Sequence, residues 1–152
     1  PSFNLFGPVS NRSRIPPLNS PTPEIVPIRS ESDVVIVRQN VRKWSISVGF
    51  SLVDQTKIVT AASELARNTL IHGGGGELKS FLLQEGNRKG LCLIFDDQGP
   101  GIPDIEKALQ DGYTTKGGMG LGLGGSKRLS NEFEIKTEVG KGTSIKIIRW
   151  KA

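Results

Sequence analysis

The chain is poor in cysteine and histidine, with one of each, Cys92 and His72, among 152 residues. A lone thiol makes no internal disulfide, and without a Cys/His cluster there are no ligands for structural zinc. Long apolar runs are also missing. The longest, Leu91 to Phe95, is far short of the roughly 20 residues that cross a bilayer. The first residues show no charged-then-apolar leader pattern. The expectation is a cytoplasmic protein in a reducing compartment. Aromatic residues make up only 6% of the chain and form no cluster with basic ones. The net charge of +5 therefore allows a mild attraction to acidic partners but carries no nucleic-acid signature.

Glycine, by contrast, is abundant, with 19 residues, well above the roughly 7% typical of proteins. At 36% apolar and 23% charged the composition is that of one folded domain, so the glycine must serve a local need. Residues 1–23 hold six of the nine prolines together with four Ser and three Asn, and read as a flexible Pro/Ser/Asn-rich tail. A short docking peptide around Phe3, Leu5 and Phe6 is the alternative reading of that segment. The character changes at Glu24, and one domain is expected over 24–152.

Glu24 to Ile28 reads as a short strand, and Pro27 argues for an edge or a strand end because proline cannot donate to a ladder. Capping side chains around Ser30 to Asp33 precede Val34, Val37, Val41, Trp44 and Val48, whose spacing of 3, 4, 3 and 4 is one helical stripe ending at Gly49. A second helix is predicted from Asp54 as N-cap, carrying Ile58, Ala61, Ala62, Leu65 and Leu70 inward until the run Gly73 to Gly76. Glu77–Glu85 and Leu91–Asp96 read as a hairpin across Gly86–Gly90, and the apolar Leu91–Phe95 body as a central strand. A short helix is expected over Pro103–Leu109 and another over Leu123–Phe133. A second hairpin, Glu134–Val139 with Thr143–Trp150, closes the chain. The predicted fold class is α/β in the sense of an α+β two-layer sandwich: a mixed sheet with helices on one face.

Three polar clusters stand out. Glu64 and Asn68, at i and i+4, project from one helix face, where a carboxylate and an amide oxygen can serve a hydroxyl and a hard cation together. Alone they would equally suit a solvated face. Asp96-Asp97-Gln98-Gly99-Pro100-Gly101-Ile102 follows the central strand. A carboxylate there can accept from an exocyclic amine while the glycines admit a flat ring, or the segment is a plain turn. Thr114 to Ser126 is dense in glycine and leads into a helix, as backbone N–H groups around a phosphate require; a hinge is the alternative. Lys116 adds positive charge. Gly120 to Gly125 fits G-x-G-x-x-G but follows no strand, so it is not a dinucleotide fingerprint. Gly125-Ser126-Lys127 breaks the P-loop pattern.

Glu-x-x-x-Asn, Asp-x-Gly-x-Gly-Ile, Gly-x-Gly-Leu-Gly-Leu and a late Gly-Thr, in this order, resemble the boxes of the GHKL (Bergerat-fold) ATPase superfamily. The phrases Ser63-Glu-Leu-Ala-Arg-Asn68 and Asp97-Gln-Gly-Pro-Gly-Ile-Pro-Asp104 make the chain most similar to the anti-sigma serine/threonine switch kinases of the RsbT type. The likeness covers 24–152. It implies ATP and Mg2+ as cofactors, Asn68 as the magnesium ligand and Glu64 as the catalytic base. It also implies that Asp97 reads the adenine amine, with Thr143 assisting through water, and that Gly99 and Gly101 leave room for base and ribose. Gly118, Gly120, Gly122 and Leu123 would form the lid and helix start at the phosphates. The run Gly73 to Gly76 is richer in glycine than the family suggests, and His72 reads as a loop histidine.

What the resemblance implies is a kinase that phosphorylates a STAS-domain antagonist or scaffold protein in a partner-switching stress pathway, with a sigma factor or downstream phosphatase as further partners. The acceptor is expected on another chain, and either a monomer or a homodimer is compatible. Two alternatives are an ATP-gated binding module without transferase activity and a detached histidine-kinase-type catalytic domain.

Overall fold

The structure, a computed structural model, describes residues 23–110 and 122–151. Almost all of the expected tail lies outside these residues, as do Lys116, Gly118 and Gly120.

Strand β1 (Glu24–Ile28) turns Val26 and Ile28 into the core and sits at a sheet edge, one of the two places that Pro27 allows. Helix α1 (Glu31–Val48) follows. The Asp33 carboxylate accepts from the N–H groups of Arg29 (2.8 Å) and Ser30 (3.2 Å), which fastens its start. Gly49, at φ 94°, ends it. The predicted stripe is the buried face, with Trp44 half-buried and its Nε1 donating to Glu24 at 2.8 Å.

Helix α2 (Leu52–Ile71) begins earlier than expected. Ser51 is the N-cap and its hydroxyl accepts the Asp54 N–H at 3.1 Å. Asp54, the predicted cap, lies in the first turn because its carboxylate pairs instead with Arg149 at 2.8 Å.

Strands β2 (Gly76–Glu85) and β3 (Arg88–Asp97) form a hairpin whose turn is only Gly86-Asn87, shorter than the five residues expected. Arg88 holds the ladder together to its end, pairing with Glu85 at 2.9 Å and stacking 3.8 Å over the Trp150 ring. The short helix α3 spans only Ile105–Ala108, since Asp104 caps it by accepting the Lys107 N–H at 3.0 Å. Helix α4 (Gly122–Arg128) stops well before Phe133. The Asn131 N–H bonds to the Ile148 carbonyl at 2.9 Å, and Phe133 pairs with Ile147, so this stretch belongs to the sheet. Strands β4 (Glu132–Glu138) and β5 (Gly142–Trp150) complete it.

The strand order is β1-β2-β3-β5-β4, with β3 in the middle as its apolar body predicts. Every strand pair among the described residues is antiparallel, which corrects the expected mixed sheet. The reason is topological. With two helices between β1 and β2 the chain reverses three times, at β1–α1, α1–α2 and α2–β2, so β2 returns antiparallel. Strands β3 and β4 do run in the same direction, but β5 lies between them.

The two-layer arrangement is as expected. Leu78, Leu91, Leu93, Phe95, Ile145 and Ile147 face Val34, Val37, Val41, Ile58 and Leu65 of the helices in one core. Each fully buried side chain of this size contributes about 1.5–3 kcal/mol. Leu83, Cys92, Ile94, Ile148 and Trp150 form a second cluster on the opposite side of the sheet. That is why β3 is apolar at successive positions and does not alternate.

Candidate active site

Asp97 ends β3, and its Oδ1 accepts two backbone N–H groups, from Gly99 at 2.9 Å and from Thr143 at 3.2 Å. Partial burial outweighs these bonds and raises its pKa above the usual carboxylate value. Its other oxygen makes no hydrogen bond among the described residues. The group is thus oriented by the main chain, half-shielded from water, and has an acceptor to spare.

Two glycines permit this. A Cβ at Gly142, whose φ is 119°, would run into the Asp97 carbonyl. A Cβ at Gly73 would collide with the Asp97 side chain. Gly99 and Gly101, expected to leave room for a base and ribose, lack a side chain for a reason within the protein itself. A Cβ at 99 would lie 2.7 Å from the Gly73 Cα, and one at 101 would lie 2.5 Å from the Glu138 carbonyl. Pro100 accepts the Gly140 N–H at 2.7 Å, and the Ile102 N–H bonds to the Thr137 hydroxyl at 2.9 Å. That hydroxyl is also 2.9 Å from the Thr143 hydroxyl. The loop after β3 is therefore clamped onto the β4–β5 turn through the Gly142-Thr143 pair.

Glu64 and Asn68 lie on one half-buried face of α2, one turn apart. Neither side chain has a hydrogen-bond or ion-pair partner among the described residues. The Asn68 carbonyl ends the helix by accepting the N–H groups of His72 (2.9 Å) and Gly73 (3.2 Å). Since Gly73 abuts Asp97, the Asn68 end of α2 and the Asp97 end of β3 meet directly. Gly76 pairs with Asp97 across the ladder, and a Cβ there would meet the Asp96 carbonyl. The run Gly73 to Gly76 is thus the joint between the two halves of the site. The signal was its position, directly between the Asn68 helix and the strand that pairs with Asp97. His72 also lies close enough for its positive form to favour the Asp97 carboxylate.

Gly122 takes φ 65° at the start of α4, and Leu123 is buried in the main core, which anchors α4 against α2. Leu123 therefore positions the backbone and does not present its side chain to the site. Lys116, Gly118 and Gly120 are outside the described residues.

The family described as Histidine kinase-, DNA gyrase B-, and HSP90-like ATPase matches residues 53–152, a span that includes every residue of this site. Serine/threonine-protein kinase RsbT of Bacillus subtilis (strain 168) is 46% identical over 125 residues, covering 82% of this chain and 94% of that protein. An anti-sigma F factor of Geobacillus kaustophilus is 30% identical, covering 77% and 83%. The solved RsbU and RsbW domains of Rv1364c from Mycobacterium tuberculosis share the fold with a TM-score of 0.58 at 20% identity, over 88% of this chain and 34% of that one. A family match over most of the chain, together with a relative aligned along nearly its whole length, shows that the chain belongs to the histidine kinase-, DNA gyrase B- and HSP90-like ATPase family.

Proposed function

We propose that this chain is an ATP-dependent serine/threonine protein kinase that phosphorylates a STAS-domain antagonist or scaffold protein in a partner-switching, sigma-factor or stress-response pathway. The observation that carries this reading is the 46% identity to a serine/threonine-protein kinase along nearly its full length. The similarity to anti-sigma F factors supports the regulatory setting. No helix among the described residues is long and apolar enough to cross a membrane, in keeping with a cytoplasmic place of action.

The donor set fits a magnesium nucleotide. Among the described residues no three His, Cys, Asp or Glu side chains gather into a metal cage. A hard cation would then rest mainly on phosphate and water oxygens, as Mg2+ commonly does, with the Asn68 amide oxygen as the protein ligand. Bound Mg-ATP supplies the transferable phosphoryl group and the counter-charge on its oxygens. Asp97, held at Oδ1 by Gly99 and Thr143, offers Oδ2 to the adenine amine, and the Thr143 hydroxyl assists through water. Lys116, Gly118, Gly120 and Gly122 would cover the phosphates, with Leu123 as the anchor. Glu64 accepts the proton of the acceptor hydroxyl. Positioning and electrostatics are most of what phosphoryl transfer asks of a protein. A phosphate of charge near −2 placed at the partner interface then weakens binding by repulsion and desolvation. A downstream phosphatase would restore the interface.

The test is incubation with labelled ATP and candidate STAS proteins. Glu64→Ala should slow transfer by about 10²- to 10⁴-fold, the usual worth of a general base, while ATP still binds. Transfer at the wild-type rate would remove Glu64 from the role. The anti-sigma relatives favour one second reading, an ATP-gated binding module. ATP binding without transfer to any partner would select it.

A further inference from the structure

The outward side of α1 is not an ordinary solvated helix face. Val35, Ile36 and Ile46 expose 41%, 46% and 58% of their surface there, and Leu52 and Val53 at the start of α2 expose 70% and 63%. Val35, Arg38, Arg42, Lys43 and Ile46 of α1, with Val59 of α2, line a groove of about 570 Å³. Positions 35, 42 and 46 share one helical face, opposite the stripe of Val34, Val37, Val41 and Val48 that α1 buries. Single exposed aliphatic residues need no explanation, but an apolar groove with a charged rim marks a place where something docks.

The charge of the rim says what kind of partner fits. Residues 34–53 contain no aspartate or glutamate. Arg38, Arg42 and Lys43 make no ion pair among the described residues. Three uncompensated cations thus border Val35, Ile46 and Val59. We propose that this groove docks an acidic amphipathic helix of a partner protein. Its apolar side lies on Val35, Ile46 and Val59, and its carboxylates meet Arg38, Arg42 and Lys43, in the helix-in-groove mode of recognition. The surface goes beyond the nucleotide reading, since none of Glu64, Asn68, Asp97 or Thr143 lines it.

Other occupants fit the chemistry less well. A second copy of this chain presenting the same face would bring like charges together. A nucleic acid would satisfy the cations but gain nothing from the aliphatic residues, and the one aromatic residue of α1, Trp44, is half-buried and bonded to Glu24. An anionic bilayer calls for a broader apolar face than Val35, Ile36 and Ile46 provide.

The experiment titrates the full chain into a labelled helical peptide with leucines along one side and glutamates on the other. Probes for comparison are a scrambled peptide of the same composition, a single-stranded RNA and phosphatidylglycerol vesicles. The patterned acidic peptide should bind at least about tenfold tighter than the scrambled one, because only it offers charge and an apolar side together. Arg42→Glu and Ile46→Asp should each weaken it about tenfold, the first with a reduced salt dependence. Both positions are exposed, so melting temperatures should not move. Equal binding of the scrambled peptide, no effect of either variant, or tighter capture of RNA or vesicles through these residues would each overturn the proposal.

Discussion

Replacing Asp97 by asparagine should move stability and nucleotide affinity in opposite directions. Burial raises the Asp97 pKa in the folded chain, so its ionised form is less favourable there than in the unfolded chain. The resulting cost is full above the folded value and disappears below the unfolded one. At neutral pH the neutral asparagine should therefore leave the protein as stable as before or more so, and that advantage should fade in acid. The asparagine carbonyl can still accept from Gly99 and Thr143, which directs its NH2 toward the adenine amine. Donor would then face donor. Losing one hydrogen bond to a charged acceptor costs about 1.5–3 kcal/mol, and at 1.4 kcal/mol per decade ATP binding should weaken about 10- to 150-fold. Calorimetric titration with Mg-ATP and a thermal melt read both effects. In the wild type, affinity should fall as pH drops through the raised Asp97 value, earlier than for an ordinary carboxylate. Affinity within threefold of wild type would refute the role of Asp97 at the base. A clear loss of stability at pH 7 would refute the burial argument.

Gly73→Ala should press a methyl against the Asp97 side chain and cost about 1–3 kcal/mol of overpacking. Steady-state kinetics should show a raised KM for ATP with kcat much less affected, and an unchanged KM would mean that Gly73 does not set the position of Asp97. The Arg149 guanidinium and its hydrogen bond hold Asp54 below its usual pKa, so Asp54 adds stability above the unfolded value that is lost as pH falls through the folded one. Asp54→Asn should cost about 3 kcal/mol at pH 7, because the partner Arg149 is largely shielded and would be left without its counter-charge. Urea unfolding should show the difference from wild type narrowing as the pH falls below the ordinary carboxylate range. A gap that stays constant with pH would show that the pair contributes through packing alone.

Much of the fold was legible because helices and hairpins are written in local spacing. The stripe from Val34 to Val48 and the stop at Gly49 appear in the structure as the sequence predicts, and of the two places that Pro27 allowed, an edge or a strand end, the sheet order selects the edge. Three of the misplaced boundaries share one cause, a contact made by a distant residue, whereas α3 is cut short locally by its Asp104 cap. Asp54 is drawn from its expected capping role by Arg149, the strand at Arg88 is lengthened by Trp150, and the helix toward Phe133 is shortened by the pairing of that residue with Ile147.

The candidate site divides in the same way. By itself the sequence determined the ingredients: the Glu64 and Asn68 spacing, the carboxylate at the end of an apolar strand, and the late Gly-Thr. Only the tertiary structure decided how they join, with Thr143 donating to Asp97 from 46 residues away and Gly73 and Gly76 closing the helix end onto the strand end. Periodicity and turn chemistry act over a few residues and can be read along the chain. Which backbone approaches which side chain depends on the packing of the whole sheet, and no short stretch of sequence records it.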